Sequence, residues 1–378
     1  MTTIPEDCIF YHSIDLPGLG TVPGVWDHRG TADAYLGHVD VAGKSVLEVG
    51  PASGFFSFEL ERRGARVTAL ELGEESDWDR VPTPYMDDRA LQAAMRDNVA
   101  AVHRSWSFAH ARLGSKVATV WGTAYEAPRL VDAVDVAMFG NVLQHLRDPL
   151  LALSRVAQVT RETLIVSETL WIDTPEFRET ALMQLIPRAD LPEVCGSWFN
   201  VSPAVVTATL QMLGFPRIRC EFHHQRFNGD GSTRSDARMV PHFTVVGRRM
   251  AAGSADPAVA LVFGDDWHGL EPRGARSLRW SKDRRAVIRL RAERATRVDV
   301  AFGVKGAVRG VQVTAKLGGE VRWRGATLDV CGVALQDVPL PKGDSLLELE
   351  MDGPPDTTLS ATRSLGMMLF DFGVAPAC

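Results

Sequence analysis

Short apolar runs alternate with longer segments of helical periodicity over the first two thirds of the chain. The runs that predict strands are Ser45 to Val49, Arg66 to Leu70, Lys116 to Trp121, Asp135 to Phe139 and Thr163 to Ser167. The segments that predict helices run from about Gly54 to Arg63, Asp88 to Leu113 and Pro149 to Thr160. This alternation is typical of a parallel sheet with helices on both faces.

The pattern changes near residues 250 to 258, where the stretch RRMAAGSADPAV has little periodicity. The segments that follow, such as AVIRLRAE, RVDVAFGV and VQVTAKLGG, are short and separated by turn residues, which favours an antiparallel β-sandwich. We therefore predict an α/β domain over residues 1–250, with an N-terminal cap and an insertion at 171–200. An all-β sandwich domain is expected over residues 258–378.

Charge separates the two regions and narrows the class of partner. The whole chain of 378 residues has a net charge of −6, yet residues 258–378 contain 17 Lys and Arg against 15 Asp and Glu. The preceding region therefore has a net charge of −8. Because nucleic-acid affinity comes mainly from clustered Lys and Arg, a nucleic-acid partner is not expected, and a small or neutral substrate is favoured.

The cysteines and the absence of long apolar runs indicate the compartment. The five cysteines, Cys8, Cys195, Cys220, Cys331 and Cys378, are scattered without a C-x-x-C pair, so we predict neither a disulfide framework nor a metal site. No run approaches eighteen apolar residues, and the N-terminus lacks a basic and apolar leader. We expect a cytoplasmic protein that does not interact with membranes.

The stretch SVLEVGPASGFFSFELERRGARVTALEL joins a strand, a Gly-containing loop, a helix and a second strand. Gly50 and Gly54 allow the backbone to turn sharply and approach a ligand, and the helix start offers free N–H groups. Glu71 ends the second strand, where a carboxylate can accept both hydroxyls of a ribose. The alternative is a tight strand-to-helix turn without a ligand.

The spacing E-x-G-x-x-x-G resembles motif I of the class I methyltransferases that depend on S-adenosyl-L-methionine (SAM). This resemblance implies a Rossmann-like sheet with SAM as the cofactor. The residues it implies as cofactor contacts in this stretch are Glu48, Gly50, Pro51, Ala52, Gly54, Glu71 and Leu72.

Two later segments extend the same resemblance. Thr123 and Ala124 lie in the loop WGTAY, which corresponds to the family's adenine loop, although a simple loop is nearly as good an explanation. The segment DVAMFGNVLQHLRDPLLAL resembles the strand end beneath the methionine part of SAM and implies contacts from Gly140 and Asn141. His145 follows this strand end, where α/β sheets bind ligands, and it is our first choice of catalytic base.

The N-terminal segments Y-H-x-I-x-L-P and W-D-x-R-G, together with LQHLRDP, look like a bacterial subgroup related to tRNA wobble-uridine methyltransferases. The resemblance implies that this region folds over the cofactor and shapes the substrate cleft, with Tyr11 and Trp26 at the substrate and His12 as a further candidate base. The alternative is a cap that only seals the edge of the sheet. The acidic charge of this region argues against tRNA itself.

The insertion at 171–200 is well placed to cover a substrate pocket, with Met183, Trp198 and Asn200 as candidate wall residues. Its alternative is a peripheral helix in a homo-oligomer. Glu168, at the end of the fifth strand, is another candidate base. We predict O-methylation of a sugar or small secondary metabolite; the alternatives are a tRNA-base methyltransferase and a non-catalytic glycan-binding protein.

The glycan alternative comes from the C-terminal region, which looks like the β-sandwich modules of bacterial cell-surface polysaccharide enzymes. Trp267, Trp280 and Trp323 are the residues that could stack on sugar rings there. They fit the core of a sandwich equally well.

Overall fold

The computed structural model describes residues 3–73, 76–190, 196–229, 237–249, 258–273, 276–327, 330–358, 360 and 362–377. The chain divides into two compact units. The first contains Met1–Leu213 and Ile218–Gly247, and the second contains Gly214–Arg217 and Arg248–Cys378. Residues 250–257 of the predicted junction lie outside the described residues.

Twelve strands and seven helices precede residue 250 in the described part of the chain. The strands are β1 (Ile14–Leu16), β2 (Gly20–Val22), β3 (Trp26–Asp27), β4 (Ser45–Val49), β5 (Arg66–Glu71), β6 (Ala118–Trp121), β7 (Val134–Gly140), β8 (Thr160–Thr169), β9 (Met183–Leu185), β10 (Phe199–Val201), β11 (Arg217–Phe227) and β12 (Arg238–Arg248). The helices are α1 (Ala32–Tyr35), α2 (Phe55–Arg62), α3 (Asp88–Leu113), α4 (Ala127–Leu130), α5 (Pro149–Val159), α6 (Pro175–Glu179) and α7 (Pro203–Met212).

Eight of these strands form the central sheet of the first unit, in the order β3-β11-β12-β8-β7-β4-β5-β6. β4 pairs in parallel with β5 on one side and with β7 on the other. The pairs β5 with β6 and β7 with β8 are also parallel, whereas β3 pairs antiparallel with β11. The chain therefore changes direction across the sheet at β4, and open α/β sheets bind ligands at the carboxyl ends of the strands at such a point.

The middle strands are buried because both faces of the sheet are covered. Met138, Phe139, Leu164 and Ile165 of β7 and β8 have no exposed surface, as expected for near-continuous apolar runs in a parallel sheet. The predicted and observed bounds agree for β4 and α3. Thr160, predicted as the end of a helix, instead begins β8.

Helix ends are fixed by side chains near the carboxyl edge of the sheet. α3 begins after Asp87, whose side chain accepts a hydrogen bond from the N–H of Ala90, 3.0 Å away. α5 begins after Asp148, which accepts from the N–H of Leu151 at 2.9 Å. These caps define where the loops at the carboxyl edge of the sheet enter α3 and α5.

Ten strands follow in the described part of the second unit. They are β13 (Val259–Phe263), β14 (Glu271–Arg273), β15 (Arg276–Trp280), β16 (Arg285–Ala292), β17 (Thr296–Gly306), β18 (Gln312–Leu317), β19 (Glu320–Ala326), β20 (Cys331–Leu340), β21 (Gly343–Met351) and β22 (Met367–Pro376). They form two five-stranded sheets, ordered β13-β16-β21-β18-β19 and β14-β15-β22-β17-β20. Ile288 of β16 and Val300 of β17 belong to one apolar cluster that joins the two sheets.

The predicted fold class is confirmed: a Rossmann-like α/β sheet is followed by an all-β region of antiparallel sheets. Trp267 and Trp280 are buried, with 5% and 9% of their surface exposed, and Trp323 packs against the shared cluster. The indole Nε1 of Trp267 donates to the carbonyl of Val287 at 2.9 Å. Core packing therefore accounts for these three tryptophans.

Within the described residues, no helix combines the length and apolar character needed to span a membrane. The same residues contain no group of three or more His, Cys, Asp and Glu side chains placed to hold a metal ion.

Candidate functional site

A cavity of about 320 Å³ lies in the first unit at the carboxyl ends of β4, β5, β6 and β7. Its lining includes the last residues of β4, β5 and β7 and residues of the loops that follow all four strands. Of the residues predicted from sequence, it brings together Tyr11, Gly50, Ala52, Glu71, Leu72, Thr123, Ala124, Gly140, Asn141 and His145. Glu48, Pro51, Gly54, His12, Trp26, Glu168, Met183, Trp198 and Asn200 do not line it.

The loop after β4 has three residues in the left-handed region, Gly50 at φ 70°, Ala52 at φ 49° and Gly54 at φ 91°. A Cβ on Gly50 would lie 2.7 Å from Val142 Cγ2 in the wall of the cavity. Glycine is therefore required at position 50 both for the turn and for the close approach of the wall.

Gly54 is required for a different reason from the one expected. A Cβ there would lie 2.6 Å from a ring carbon of Phe58 and 2.7 Å from one of Trp106. Gly54 is the N-cap of α2 and leaves room for these two side chains. Its missing side chain serves packing of α2 against α3 rather than approach of a ligand.

Glu71 presents a carboxylate to the cavity at the end of β5. Its Oε2 accepts a hydrogen bond from the N–H of Ala52 at 3.0 Å, and its Oε1 accepts from the N–H of Leu72 at 2.8 Å. Burial raises the pKa of Glu71 to about 7, although the two N–H donors favour the charged form. Each oxygen keeps a further lone pair for another donor.

Glu48 lies beneath the loop instead of in the cavity. Its carboxylate is buried and accepts a hydrogen bond from Ser57 Oγ at the start of α2. Burial raises the pKa of Glu48 to about 8, so the group is largely neutral at pH 7. Its contacts tie β4 to α2, and Pro51 is buried in the same loop.

Thr123 and Ala124 form the wall after β6. Thr123 begins a short helical turn, and both its N–H and its Oγ1 donate to Glu126 Oε2, at 3.2 and 3.0 Å. The next residue, Tyr125, donates its hydroxyl to Asp79 Oδ2 at 3.0 Å. The loop is thereby held on both sides of Ala124.

Asn141 follows β7 at φ 55°, a left-handed conformation that Asn adopts more readily than most residues. Its Oδ1 accepts from the N–H and the hydroxyl of Thr169, at 2.8 and 2.9 Å. Its Nδ2 donates to His242 Nε2 at 3.3 Å. The side chain joins the ends of β7 and β8, and the residue itself forms part of the cavity wall.

His145 ends the short helical turn Leu143–His145 and lines the cavity. Its Nδ1 lies 2.8 Å from the carbonyl oxygen of Gly196 and 3.2 Å from Ser197 Oγ. A carbonyl oxygen only accepts, so Nδ1 carries the hydrogen and Nε2 carries the lone pair. Burial lowers the pKa of the imidazole, which keeps it neutral and able to take a proton.

Glu168 is buried at the end of β8, away from the cavity lining. Its Oε1 accepts from the N–H groups of Val142 and Leu143, at 3.0 and 2.8 Å. Burial raises the pKa of Glu168 to about 8, against the effect of these donors. Its contacts hold the start of the turn that carries His145.

The N-terminal segment contributes one residue to the cavity, Tyr11. The neighbouring His12 is buried beside Phe55, Phe56 and His28, and its Nδ1 has no hydrogen-bond partner among the described residues. Burial lowers the pKa of His12 well below its usual value.

Trp26 lies in β3 at the edge of the sheet. Phe227 of β11 is its register partner, and the two rings pack edge to face with centroids 4.9 Å apart. Trp26 is therefore part of an edge cap, which was the alternative expected from the sequence.

The described part of the 171–200 insertion contains α6 and the antiparallel pair β9 and β10. Met183 pairs with Val201, and Asn200 Nδ2 donates to Gln184 Oε1 at 2.9 Å. Neither residue reaches the cavity. Trp198 contacts a residue of the lining: its Nε1 donates to the carbonyl oxygen of Asp79 at 2.6 Å.

Sequence reasoning missed two parts of the lining. One is the segment Asp77, Trp78 and Asp79, and the other is the face of α3 with Asn98, Val99, Val102 and His103. The acidic and aromatic residues of the segment DWD were a signal, since a polar loop after a ligand-binding strand is a common place for contacts. The face of α3 had no comparable signal, because amphipathic spacing does not distinguish a cavity from a core.

No protein-family model and no curated protein matches the sequence. Among solved structures, the N-terminal domain of EvdMO1, crystallised with S-adenosylhomocysteine (SAH) and D-fucose, is 17% identical, with a TM-score of 0.41 over 65% of this chain and 92% of that chain. The 1,6-didemethyltoxoflavin-N1-methyltransferase of Burkholderia thailandensis is 16% identical, with a TM-score of 0.35 over 58% and 77%.

The magnesium protoporphyrin IX methyltransferase of Synechocystis PCC 6803, with SAH bound, is also 16% identical, with a TM-score of 0.36 over 59% of this chain and 83% of that chain. Similarity at this level carries no functional argument.

Proposed function

We propose that the protein is a SAM-dependent methyltransferase that methylates a hydroxyl of a small uncharged molecule, either a sugar or a secondary metabolite. The observation that carries the proposal is the carboxylate of Glu71, held at the end of β5 by the N–H groups of Ala52 and Leu72. A ribose offers two neighbouring hydroxyl donors, and this carboxylate has the acceptor capacity for both.

The rest of the cavity fits the other parts of SAM. A volume of about 320 Å³ is within the range of small-molecule sites. Gly50 provides the close backbone approach that the amino-acid part of the cofactor needs, and the Thr123 and Ala124 loop supplies a wall for the adenine. Val49 and Leu70 add apolar surface between them.

When bound, SAM supplies an electrophilic methyl group on a sulfonium. We assign His145 Nε2 as the base, which would take the proton of the acceptor hydroxyl during transfer of that methyl group. Gly196 orients the ring through Nδ1–H and so keeps the lone pair on Nε2.

Glu168 is assigned as a positioning residue instead of a base, because its oxygen is occupied by the N–H groups of Val142 and Leu143. His12 is assigned to the aromatic packing of the N-terminal segment. These assignments leave His145 as the one base among the three candidates.

Calorimetric titration with SAM and SAH tests the proposal, with adenosine as the matched control that lacks the methionine part. We expect saturable binding of SAM and SAH and much weaker binding of adenosine. Absence of binding by the folded protein would reject the proposal.

The two alternative functions receive less support. The charge of −8 before residue 258 disfavours tRNA. The buried positions of Trp267 and Trp280 leave the glycan-binding alternative without its aromatic platform.

A further inference from the structure

A second cavity of about 330 Å³ adjoins the first and shares Trp78, Asn98 and His145 with it. The remaining lining residues are Ala94 and Met95 of α3 and Gly196 and Ser197 of the insertion. We infer that this second cavity is the acceptor site and that it takes an uncharged aromatic alcohol, a phenol on a flat apolar ring. The inference rests on the function proposed above.

The position of His145 argues for an acceptor site. The imidazole is part of both walls, so a hydroxyl bound in the second cavity lies beside both the base and the proposed cofactor cavity. Methyl transfer needs the nucleophile, the methyl carbon and the base in one place, and alignment of this kind contributes much of the rate.

The lining argues for a flat apolar ring. Trp78 and His145 pack edge to face, with ring centroids 5.4 Å apart, and Ala94 and Met95 add further apolar surface to the lining. The one polar atom of the Trp78 indole, Nε1, donates to the carbonyl oxygen of Gly196 at 3.1 Å. The indole therefore offers a ring surface to the cavity, where an aromatic acceptor packs favourably.

The supply of polar groups argues against a sugar. Ser197 Oγ lies 3.2 Å from His145 Nδ1–H as an acceptor and keeps its own hydroxyl hydrogen, so Ser197, the Asn98 amide and His145 Nε2 are the polar side-chain groups of the described lining. A monosaccharide would bring several hydroxyls into this space, and each one left unpaired costs free energy. A phenol brings one hydroxyl, and His145 Nε2 can accept the hydrogen bond that this hydroxyl donates.

Charge argues against a phosphorylated acceptor. None of the described lining residues is Asp, Glu, Lys or Arg. Two arginines that lie close in sequence to lining residues are already paired: Arg96 lies 2.6 Å from Asp77, and Arg147 lies 3.1 Å from Asp79. The described lining therefore offers a phosphate no cationic side chain.

The chemistry agrees with this geometry. A phenol has a pKa of about 10, as in tyrosine, and is therefore far easier for a neutral imidazole to deprotonate than an aliphatic alcohol. The phenol oxygen forms the new bond to the methyl carbon, SAH leaves, and the proton goes to His145 Nε2.

The test uses three probes on the full chain saturated with SAH: 2-naphthol, D-fucose and glucose 1-phosphate. We expect calorimetric binding of 2-naphthol only and, with SAM in place of SAH, formation of 2-methoxynaphthalene detected by mass spectrometry. Ala94→Trp fills the cavity and should weaken 2-naphthol about tenfold or more while SAH affinity is retained. Ala111→Trp, at an exposed position of the same helix, is the matched control and should change neither.

The outcomes separate the two levels of the proposal. If SAH binds but D-fucose or glucose 1-phosphate binds in preference to 2-naphthol, the aromatic acceptor is wrong and the methyltransferase proposal stands. If 2-naphthol binds equally well to Ala94→Trp, the second cavity is not the acceptor site. Failure of SAH itself to bind rejects the methyltransferase function.

Discussion

Substitution of Glu71 is the most direct test of the proposed SAM site in the first cavity. Replacing Glu71 with Gln keeps the size of the side chain and one oxygen acceptor but removes the charge. Hydrogen bonds to a charged group contribute about 1.5 to 3 kcal/mol, so losing the charge should weaken SAH about 10- to 150-fold. Glu71→Ala should be at least as severe, because the N–H groups of Ala52 and Leu72 then lose their acceptor as well.

The pH dependence of binding provides a second measurement on the same residue. The pKa of Glu71 is raised by burial to about 7, and hydroxyl donors favour the charged form, so SAH binding releases a proton from this group. SAH affinity should therefore increase as the pH rises through about 7, and the increase should be absent in Glu71→Gln.

Calorimetry between pH 6 and pH 8, in two buffers of different ionisation enthalpy, measures both the affinity and the released proton. Glu179→Ala, an exposed carboxylate of α6, is the control and should keep the parent pH profile. Equal SAH affinity in the parent and Glu71→Gln across this range would refute the assignment of Glu71 to the ribose.

Three further predictions concern His145 as the base, the buried carboxylate of Glu168 and the expected absence of tRNA binding. His145→Ala should lower turnover about 10²- to 10⁴-fold while SAH affinity stays within twofold of the parent. A folding defect would lower both turnover and SAH affinity. If the folded variant turns over at the parent rate, His145 is not the base. Glu168 has its pKa raised to about 8, so the folded state binds more protons than the unfolded state above pH 4.5, and stability falls as the pH rises towards 8. Denaturant titrations at pH 5.5 and pH 8 measure how much the free energy of unfolding decreases between the two pH values. Glu168→Gln should make this decrease smaller, and an equal decrease in the parent and the variant would contradict the burial argument. Finally, filter retention of tRNA at 50 mM and 200 mM salt should show no tight, salt-sensitive binding, and a steep salt dependence would favour the tRNA alternative.

Local sequence patterns were sufficient to predict most strands of the central sheet of the first unit. The period of the apolar positions predicts the observed bounds of β4 and α3, and the order of strand, loop, helix and acid indicates Glu71 from sequence alone. These features depend on neighbours within one or two turns of the chain, which is the range over which periodicity and turn chemistry act.

Periodicity and turn chemistry do not predict contacts between residues that are far apart in the sequence. Trp78 meets Gly196, 118 positions later, and Glu168 reaches back to Val142. A sequence does not reveal which carboxylate is used by backbone N–H groups and which one faces a ligand, because the difference lies in the loop that happens to pack against it. Glu168 and Glu71 both end strands, yet only Glu71 faces the cavity.

The carbonyl oxygen of Gly196 accepts from two rings at once, Trp78 and His145. Because this oxygen belongs to the main chain, substitutions of neighbouring side chains leave the acceptor itself in place. Substitution of Ala94 should therefore change selectivity at the proposed acceptor site while the carbonyl oxygen that holds the hydrogen on His145 Nδ1 is retained. The side chains that can change the shape of the pocket therefore lie on α3, whereas the group that fixes the tautomer of His145 is a main-chain carbonyl.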